Sequence, residues 1–321
     1  MTSHRNTIGV AALLIGAAGA FALWSETLGP PDPPASLWPI YTTGLSGAKY
    51  IDLTHAFAPG QARGAGLGEM TVSDARADSA IPGLVMRGEP LDYAHVGGAI
   101  TAYGFGSDQV GTQLDPPAHF NAHGATISDI PPTYALRPLV VINIAPKVAK
   151  NAGYEATPTD IAAWERRHGR IPAGSVVMFR SDWSRLWSNP ERFQRSPHPG
   201  VSLATLKLLH LKRHILFHGH ETLDTDNSPT FEAEAWLLKN NFTQAESVAN
   251  LDKVPESGAL VSIGFARPEG GTGGLARFVA IAPSDWPYGV TLAEAPGAPL
   301  PAHSAPLLRS GDGVLRPSGA P

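Results

Sequence analysis

Apolar and polar residues alternate over residues 50–55, the period-two pattern of a strand with one covered face, and this segment is read as the first strand. Residues 58–92 have weak periodicity and many glycines, which predicts a long loop over the core, a candidate lid. Residues 99–103 predict a second strand. Residues 139–144 (Leu-Val-Val-Ile-Asn-Ile) are almost continuously apolar and β-branched, as in a strand covered on both faces. Thr157-Pro-Thr-Asp160 supplies an N-cap and an early acid, so a helix is expected to follow, carrying Ile161, Trp164 and Glu165 and ending near Gly169. Residues 175–179 predict a strand. Leu203, Leu206, Leu209 and Leu211 then predict a helix over 202–213. A short strand over 214–217, a helix over 232–239 and strands over 242–248, 259–265 and 277–282 complete the pattern. Strands outnumber the interspersed helices, which points to an α/β or α+β domain with mixed sheets.

One stretch stands out chemically: Gln109-Val-Gly-Thr-Gln-Leu-Asp-Pro-Pro-Ala-His-Phe120. Gln109, Gln113, Asp115 and His119 all fall on odd positions, so an extended backbone starts them on one face. At roughly 3.3 Å per residue, Gln109 and Gln113 lie about 13 Å apart on a straight strand. Gly111 and Pro116-Pro117 are the places where the chain can bend them toward one point. The alternative is a strand running into a Pro-Pro loop, with Asp115 and His119 satisfying local backbone groups.

Composition narrows the chemistry. The chain has 321 residues, a formal net charge of −4 and no cysteine. A thiolate nucleophile, a disulfide and a cysteine-ligated metal are thereby excluded, and the charge gives no sign of a nucleic-acid partner. Arg5 precedes an uncharged apolar run over residues 8–24, with Ala20-Phe-Ala22 as a small-x-small cleavage site. Residues 1–27 therefore read as a secretory signal peptide or an uncleaved membrane anchor, and either one places the body in the periplasm or outside the cell. Residues 28–48 read as a proline-rich linker and 49–290 as the domain. Residues 291–321, rich in Pro, Ala and Gly, read as a disordered or loosely wrapped tail.

Two further groups are candidates. His218, His220, Glu221, Asp224 and Asp226 follow an expected strand, where open α/β sheets place ligands; a solvated turn with capping side chains is the alternative. Glu234 lies on a helix whose glutamates are ordinarily solvated. Glu246 lies in a run that should pack, so a buried carboxylate needing a partner is expected there. Gly270-Gly-Thr-Gly-Gly274 lacks the strand–helix context of a phosphate loop. Neither a Gly-x-Ser-x-Gly elbow nor a His-Glu-x-x-His motif is present.

Residues 109–119 keep the frame of His-x-Gly-Thr-His-x-Asp-x-Pro-x-His without a gap, and with it the chain resembles the cyclase-like hydrolases that include bacterial kynurenine formamidases and isatin hydrolases. The resemblance extends over about residues 50–283. Ile51-Asp-Leu-Thr54, the helix from Thr157, Ser181-Asp-Trp183, His198-Pro-Gly200, Glu221-Thr-Leu-Asp-Thr-Asp226 and Glu246-Ser-Val-Ala-Asn-Leu-Asp252 match in order. It implies a single swivelling β/β/α domain that hydrolyses amide bonds with one or two divalent metals, and a homo-oligomer. The implied ligand positions are Gln109, Gln113, Asp115, Glu234 and Glu246, and His119 matches the proton-transfer histidine. All three ligand histidines of the family are replaced, by Gln, Gln and Glu. An oxygen-only donor set suits Mn²⁺, Mg²⁺ or Ca²⁺ better than zinc. The expected function is thus metal-dependent hydrolysis of a small amide, cyclic amide or lactone, arylformamidase-like. The rival is a non-catalytic small-ligand-binding protein on the same fold, with an altered or lost metal site. N-terminal sequencing of exported protein is expected to begin shortly after Ala22; intact Met1 in a soluble cytosolic fraction would overturn the export reading.

Overall fold

The computed structural model describes residues 36–64, 66–292 and 297–319, so the signal or anchor segment and the first part of the linker, residues 28–35, lie outside the described residues. The chain divides into two compact units, residues 1–44 and 45–321. In the first, the described part carries the helical turn Trp38–Ile40. The second holds everything that follows.

Its strands are β1 (Lys49–Asp52), β2 (Thr71–Asp74), β3 (Thr101–Gly104), β4 (Gln113–Asp115), β5 (Leu136–Asn143), β6 (Glu155–Ala156), β7 (Val176–Arg180), β8 (Gly200–Val201), β9 (Phe217–His220), β10 (Thr243–Glu246), β11 (Ala259–Phe265), β12 (Gly274–Ala282), β13 (Leu307–Arg309) and β14 (Leu315–Pro317). The main sheet runs β1-β12-β11-β5-β7-β9-β10-β4, and β4 also pairs with β12. Seven strands therefore close into a barrel. Long β12 makes this work by sharing one edge: Gly274 and Leu275 pair with β4, and Val279–Ala282 pair with β1. The pairs β5–β7, β7–β9 and β9–β10 are parallel and the rest of the main sheet is antiparallel, which is the mixed sheet that the sequence pattern points to; its closure into a barrel is not part of that expectation.

The continuous apolar runs now have a cause. Val176 and Met178 of β7 face the barrel interior with Leu114, Leu139, Val141, Phe217, Ala245, Val261 and Phe278. Val177 and Phe179 face outward, against Ile161, Trp164, Leu206, Ala233 and Leu237 of the surrounding helices. Both faces are covered, so no alternation survives. Each such side chain contributes roughly 1.5–3 kcal/mol by leaving water. Helix Pro158–His168 begins as expected, with Thr157 as N-cap in a capping box with Asp160 and Gly169 at its end.

Three expectations need correction. Residues 58–92 are not one loop: β2 forms within them and pairs antiparallel with β3 in a separate two-stranded sheet. The strand expected at 214–217 lies three residues later, because His214 adopts a left-handed conformation (φ 55) that ends the helical turn Leu209–Arg213. The tail is not loose over 307–317. It forms a β13–β14 hairpin, and Arg309 reaches back to the Asp74 carboxylate and to Thr101 Oγ1 at 3.1 Å.

Gly313 fits the hairpin against β2. Its φ is 84°, and a Cβ there would meet the Val72 carbonyl oxygen at 1.8 Å. Gly313→Ala combines left-handed strain with that clash, a cost on the order of 1–3 kcal/mol from the backbone alone. The substitution is expected to undock the hairpin, read as faster limited proteolysis after residue 300 with the barrel intact.

Candidate metal centre

Strand alternation assembles the site. Leu114 and Ala245 point into the barrel, so Gln113 and Asp115 on β4 and Gln244 and Glu246 on β10 point outward. Register then sets the rows: Gln244 pairs with Asp115 and Glu246 with Gln113. On the other side of β10, Gln244 pairs with His218, and His220 follows two residues along β9. Six polar side chains thus share one buried face of three adjacent strands. The fourth contributor is helix Glu232–Lys239, whose Ala233 and Leu237 pack on this face and carry Glu234 with them. Asp226 fixes the start of that helix, accepting from the Ala233 and Glu234 amides at 2.8 and 3.2 Å. A carboxylate at a helix N-terminus is favoured by the exposed amides and the helix dipole.

Asp115, Glu234 and Glu246 converge: one carboxylate oxygen from each lies within 4.8 Å of the others, and all three residues are buried. Two ligands held by one cation at roughly 2.0–2.6 Å are separated by at most about 5 Å, so the cluster is the right size for a shared ion. Two carboxamides line it. Gln113 Nε2 donates to Asp115 Oδ1 at 3.1 Å and to Glu246 Oε2 at 3.0 Å. Gln244 Nε2 donates to Asp115 Oδ2 at 3.1 Å and to Glu246 Oε1 at 2.8 Å. Gln113 Oε1, at the other end of the amide from the Nε2 that faces the acids, is buried without a partner. Gln109 stands one step back: its Oε1 accepts from Gln113 Nε2, and its Nε2 donates to Thr272 O at 2.9 Å. The loop around Thr272 is strapped down by Asp108, which accepts from the Thr272 and Gly273 amides at 2.7 and 2.8 Å.

The electrostatics ask for a cation. Burial pushes the Asp115 carboxyl up to about 7, against the opposing pull of the Gln244 and Gln113 amides. Burial also raises Glu234 and Glu246 well above the usual carboxylate range, and the neighbouring Asp115 charge adds to both. Among the described residues the one basic side chain within 4.0 Å of these carboxyls is His119, with Nε2 3.9 Å from Glu234 Oε1. Three buried carboxyls with no lysine or arginine against them either hold protons or hold a divalent ion. The donor set and the orphaned amide oxygen fit the ion.

His119 follows β4 on the short turn Pro117–His119, so the motif strand aims it directly. Its side chain is 29% exposed, and burial of the rest lowers its pKa below the usual histidine value. The bend that the motif needs is at Gly111, which has φ 65. Against Gly111 lie Gln61, Phe57 and Trp187. His55 stacks on Trp187 at 4.3 Å, and Phe57 sits 6.0 Å from both Tyr103 and Phe105. A cleft of about 610 Å³ lined by Phe105, Ser107, Asp108 and Pro268 flanks Gln109.

The secondary candidates separate. His218 is fully buried on the same sheet face with both ring nitrogens unpartnered, and burial holds it well below the usual histidine range. His220 is buried too, its pKa pushed down to about 3 by burial. Glu221 lies outside the cluster. It anchors the 181–184 turn instead, accepting from the Ser181 and Trp183 amides and from the Ser181 and Ser184 hydroxyls at 2.8–3.0 Å. Asp224 is half-exposed beside His198, at 3.9 Å. Gln244 went unread in the sequence, although Gln244 and Glu246, two apart in one short strand, share a parity that puts both on one face.

The closed mixed barrel has the fold of the cyclase family, a class of hydrolases. A family model described as "Putative cyclase" matches residues 51–227, and the chain belongs to that family. Within it, the chain is similar to an isatin hydrolase of Roseibium aggregatum, 31% identical over 189 residues that cover 54% of this chain and 71% of the relative. It is similar in structure to isatin hydrolase A from Labrenzia aggregata bound to benzyl benzoate, with 25% identity and a TM-score of 0.66 over 77% of this chain and 100% of that one. Isatin hydrolase A from Ralstonia solanacearum shares the fold, with 24% identity and a TM-score of 0.63 over 88% and 100% of the two chains.

The raised carboxyl pKa values have a sign. In the cation-free protein the folded state binds more protons than the unfolded chain, so these groups favour folding below about pH 4, and that contribution is lost as pH rises through about 7. The melting temperature of chelator-treated protein is expected to fall between about pH 5 and about pH 8. Saturating Mn²⁺ is expected to reverse most of that fall, with little effect at the acidic end. Equal Mn²⁺ stabilisation at both ends would contradict a cation held by these carboxylates.

Proposed function

We propose that the chain is a metal-dependent hydrolase of a small amide, cyclic amide or lactone, with Asp115, Glu234 and Glu246 as the cation's carboxylate ligands and Gln113, its amide turned to present Oε1 in place of Nε2, as an amide-oxygen ligand. The observation that carries this reading is the convergence of three buried carboxylates within 4.8 Å beside a partly exposed histidine. Gln109 orients Gln113 in this reading and does not reach the acids itself. A bound divalent ion supplies Lewis acidity toward a carbonyl oxygen and toward water. The oxygen-only donor set favours Mn²⁺ or Mg²⁺ over zinc.

The chain's own groups do the rest. His119, at the edge of the cluster and neutral near pH 7, takes a proton from the attacking water and returns it to the leaving nitrogen or oxygen. Glu234 Oε1, 3.9 Å from His119 Nε2, stabilises the imidazolium formed between those steps. The aromatic wall of Phe57, Tyr103, Phe105 and Trp187 favours a flat, apolar substrate, consistent with the isatin hydrolases among the relatives. One observation favours the non-catalytic alternative. The Gln113 and Gln244 amides already give the carboxyls hydrogen-bond donors, so a ligand-binding protein without a cation is chemically self-consistent.

Turnover separates the two. Purified protein loaded with Mn²⁺ is expected to hydrolyse at least one member of a panel containing isatin, N-formyl anilines, small lactams and aryl lactones. His119→Ala is expected to retain cation-dependent stabilisation while turnover drops roughly 10²–10⁴-fold. No turnover of any panel member with any of Mn²⁺, Mg²⁺ or Ca²⁺ would favour the binding protein. A His119→Ala variant as fast as the parent would remove His119 from the mechanism.

A further inference from the structure

Gln244 falls outside the ligand set implied by the family resemblance, yet it touches two of the three acids. Its Nε2 donates to Asp115 and Glu246, and its Oε1 accepts from Thr225 Oγ1 at 2.7 Å. Thr225 Oγ1 in turn lies 2.9 Å from His220 Nε2. His220 Nδ1 lies 3.1 Å from the Thr222 carbonyl oxygen and 3.0 Å from Thr222 Oγ1. All of these groups are buried. A hydroxyl has one hydrogen, a neutral imidazole has one N–H, and an amide has its hydrogens on one end and its lone pairs on the other. The polarity chosen at one end of the chain therefore fixes every link.

Without a cation, the carboxyls draw the Gln244 NH₂ toward them. Thr225 then gives its hydrogen to Gln244 Oε1, and His220 must donate to Thr225 from Nε2. That leaves Nδ1 bare at 3.1 Å from a carbonyl oxygen, lone pair against lone pair. Only the Thr222 hydroxyl can relieve it, and that hydroxyl is also 2.9 Å from the Asp224 carbonyl it would otherwise satisfy. The opposite polarity satisfies the outer links. His220 Nδ1–H donates to Thr222 O, Thr225 donates to His220 Nε2, Gln244 Nε2 donates to Thr225 Oγ1, and Thr222 Oγ1 keeps Asp224 O. Its one defect is that Gln244 Oε1 then faces Asp115 and Glu246, an arrangement that needs either a proton kept on one of those carboxyls or, where both are ionised, a positive ion between the oxygens.

We propose that loading the acidic centre with a divalent cation rotates the Gln244 amide by half a turn, making its Oε1 a cation-facing oxygen, and converts His220 from the Nε2–H to the Nδ1–H tautomer. The His220 ring keeps its proton count: one leaves Nε2, one arrives at Nδ1, and the Thr225 hydroxyl swings between its two neighbours. Gln244 is then a switchable ligand, and Thr225 and His220 are positioning residues that record whether the site is filled. The proposal rests on reading the acidic cluster as a cation centre.

The test is spectroscopic and uses the folded chain with ring-¹⁵N histidine and diamagnetic Mg²⁺ as the probe. The His220 signals are assigned by their loss in His220→Gln. On saturation with Mg²⁺ the protonated ring nitrogen of His220 is expected to change from Nε2 to Nδ1. In Thr225→Val the tautomer is expected to be the same with and without Mg²⁺, with Mg²⁺ affinity weakened roughly 10–100-fold, the usual range for groups that orient ligands. Thr225→Ala serves if the valine variant does not fold, and the parent spectra decide alone if neither does. An unchanged His220 tautomer while Mg²⁺ raises the melting temperature overturns the switch and leaves the cation centre standing. No thermal response to Mg²⁺, Mn²⁺ or Ca²⁺ overturns the cation centre, and the switch falls with it.

Discussion

Three carboxyl groups share one water-poor space on the outer face of a β-barrel, and most of the surrounding architecture follows from making that tolerable. Like charges a few ångströms apart in a low-dielectric interior repel by several kcal/mol even at an effective dielectric of about 20. Each must be protonated, hydrogen-bonded or paired with a cation. The amides of Gln113 and Gln244 reach between the same two acids from neighbouring strands. Asp226 pins the helix that brings the third. The arrangement depends on register, because slipping β4 by one residue against β10 would turn Asp115 toward the barrel interior and leave Leu114 on the face of Glu246.

The barrel supplies rigidity and the motif supplies direction. Asp115 ends β4, Pro116 and Pro117 stop the ladder, and His119 emerges one short turn later. The candidate proton carrier is therefore tied within four residues to a strand that is hydrogen-bonded on both edges. Against the histidines that the family resemblance implies at these positions, glutamine and glutamate are harder donors. An imidazole offers one lone pair and a fixed plane; a carboxamide offers either an oxygen or an NH₂ to the same point. That freedom is what sets this centre apart chemically from a histidine-ligated one.

The barrel core was legible because strands covered on both faces carry unbroken apolar runs, as at Val176–Arg180, and because Thr157 and Asp160 announce a helix without reference to anything distant. The acids were legible only through the frame of residues 109–119 and the spacing from Glu234 to Glu246; taken singly, Glu234 reads as a solvated helix residue. His218 and His220 were placed in a loop because polar residues ordinarily mark one. They lie in β9 because its backbone pairs with β7 and β10 and the His220 ring meets the Thr225 hydroxyl, partnerships no local pattern reveals. β2 was hidden for a similar reason: its partner β3 is about thirty residues away and its own alternation is weak. The tail's composition masked Leu307–Arg309 and Leu315–Pro317, whose order comes from Arg309 reaching Asp74.

The barrel closes where β4 meets β10 on one edge and the start of β12 on the other. Those contacts join residue 113 to residues 246 and 275, more than 130 positions away, so the seam is among the least local pairings in the molecule. Non-local pairings pay their loop-closure entropy before any contact rewards it, and they slow folding. The acidic centre is built on that seam. A nascent or partly folded chain therefore lacks the site altogether, its acids dispersed and hydrated. The acids come together only once β4 has paired with β10, so the assembled centre marks a barrel that has closed along that edge.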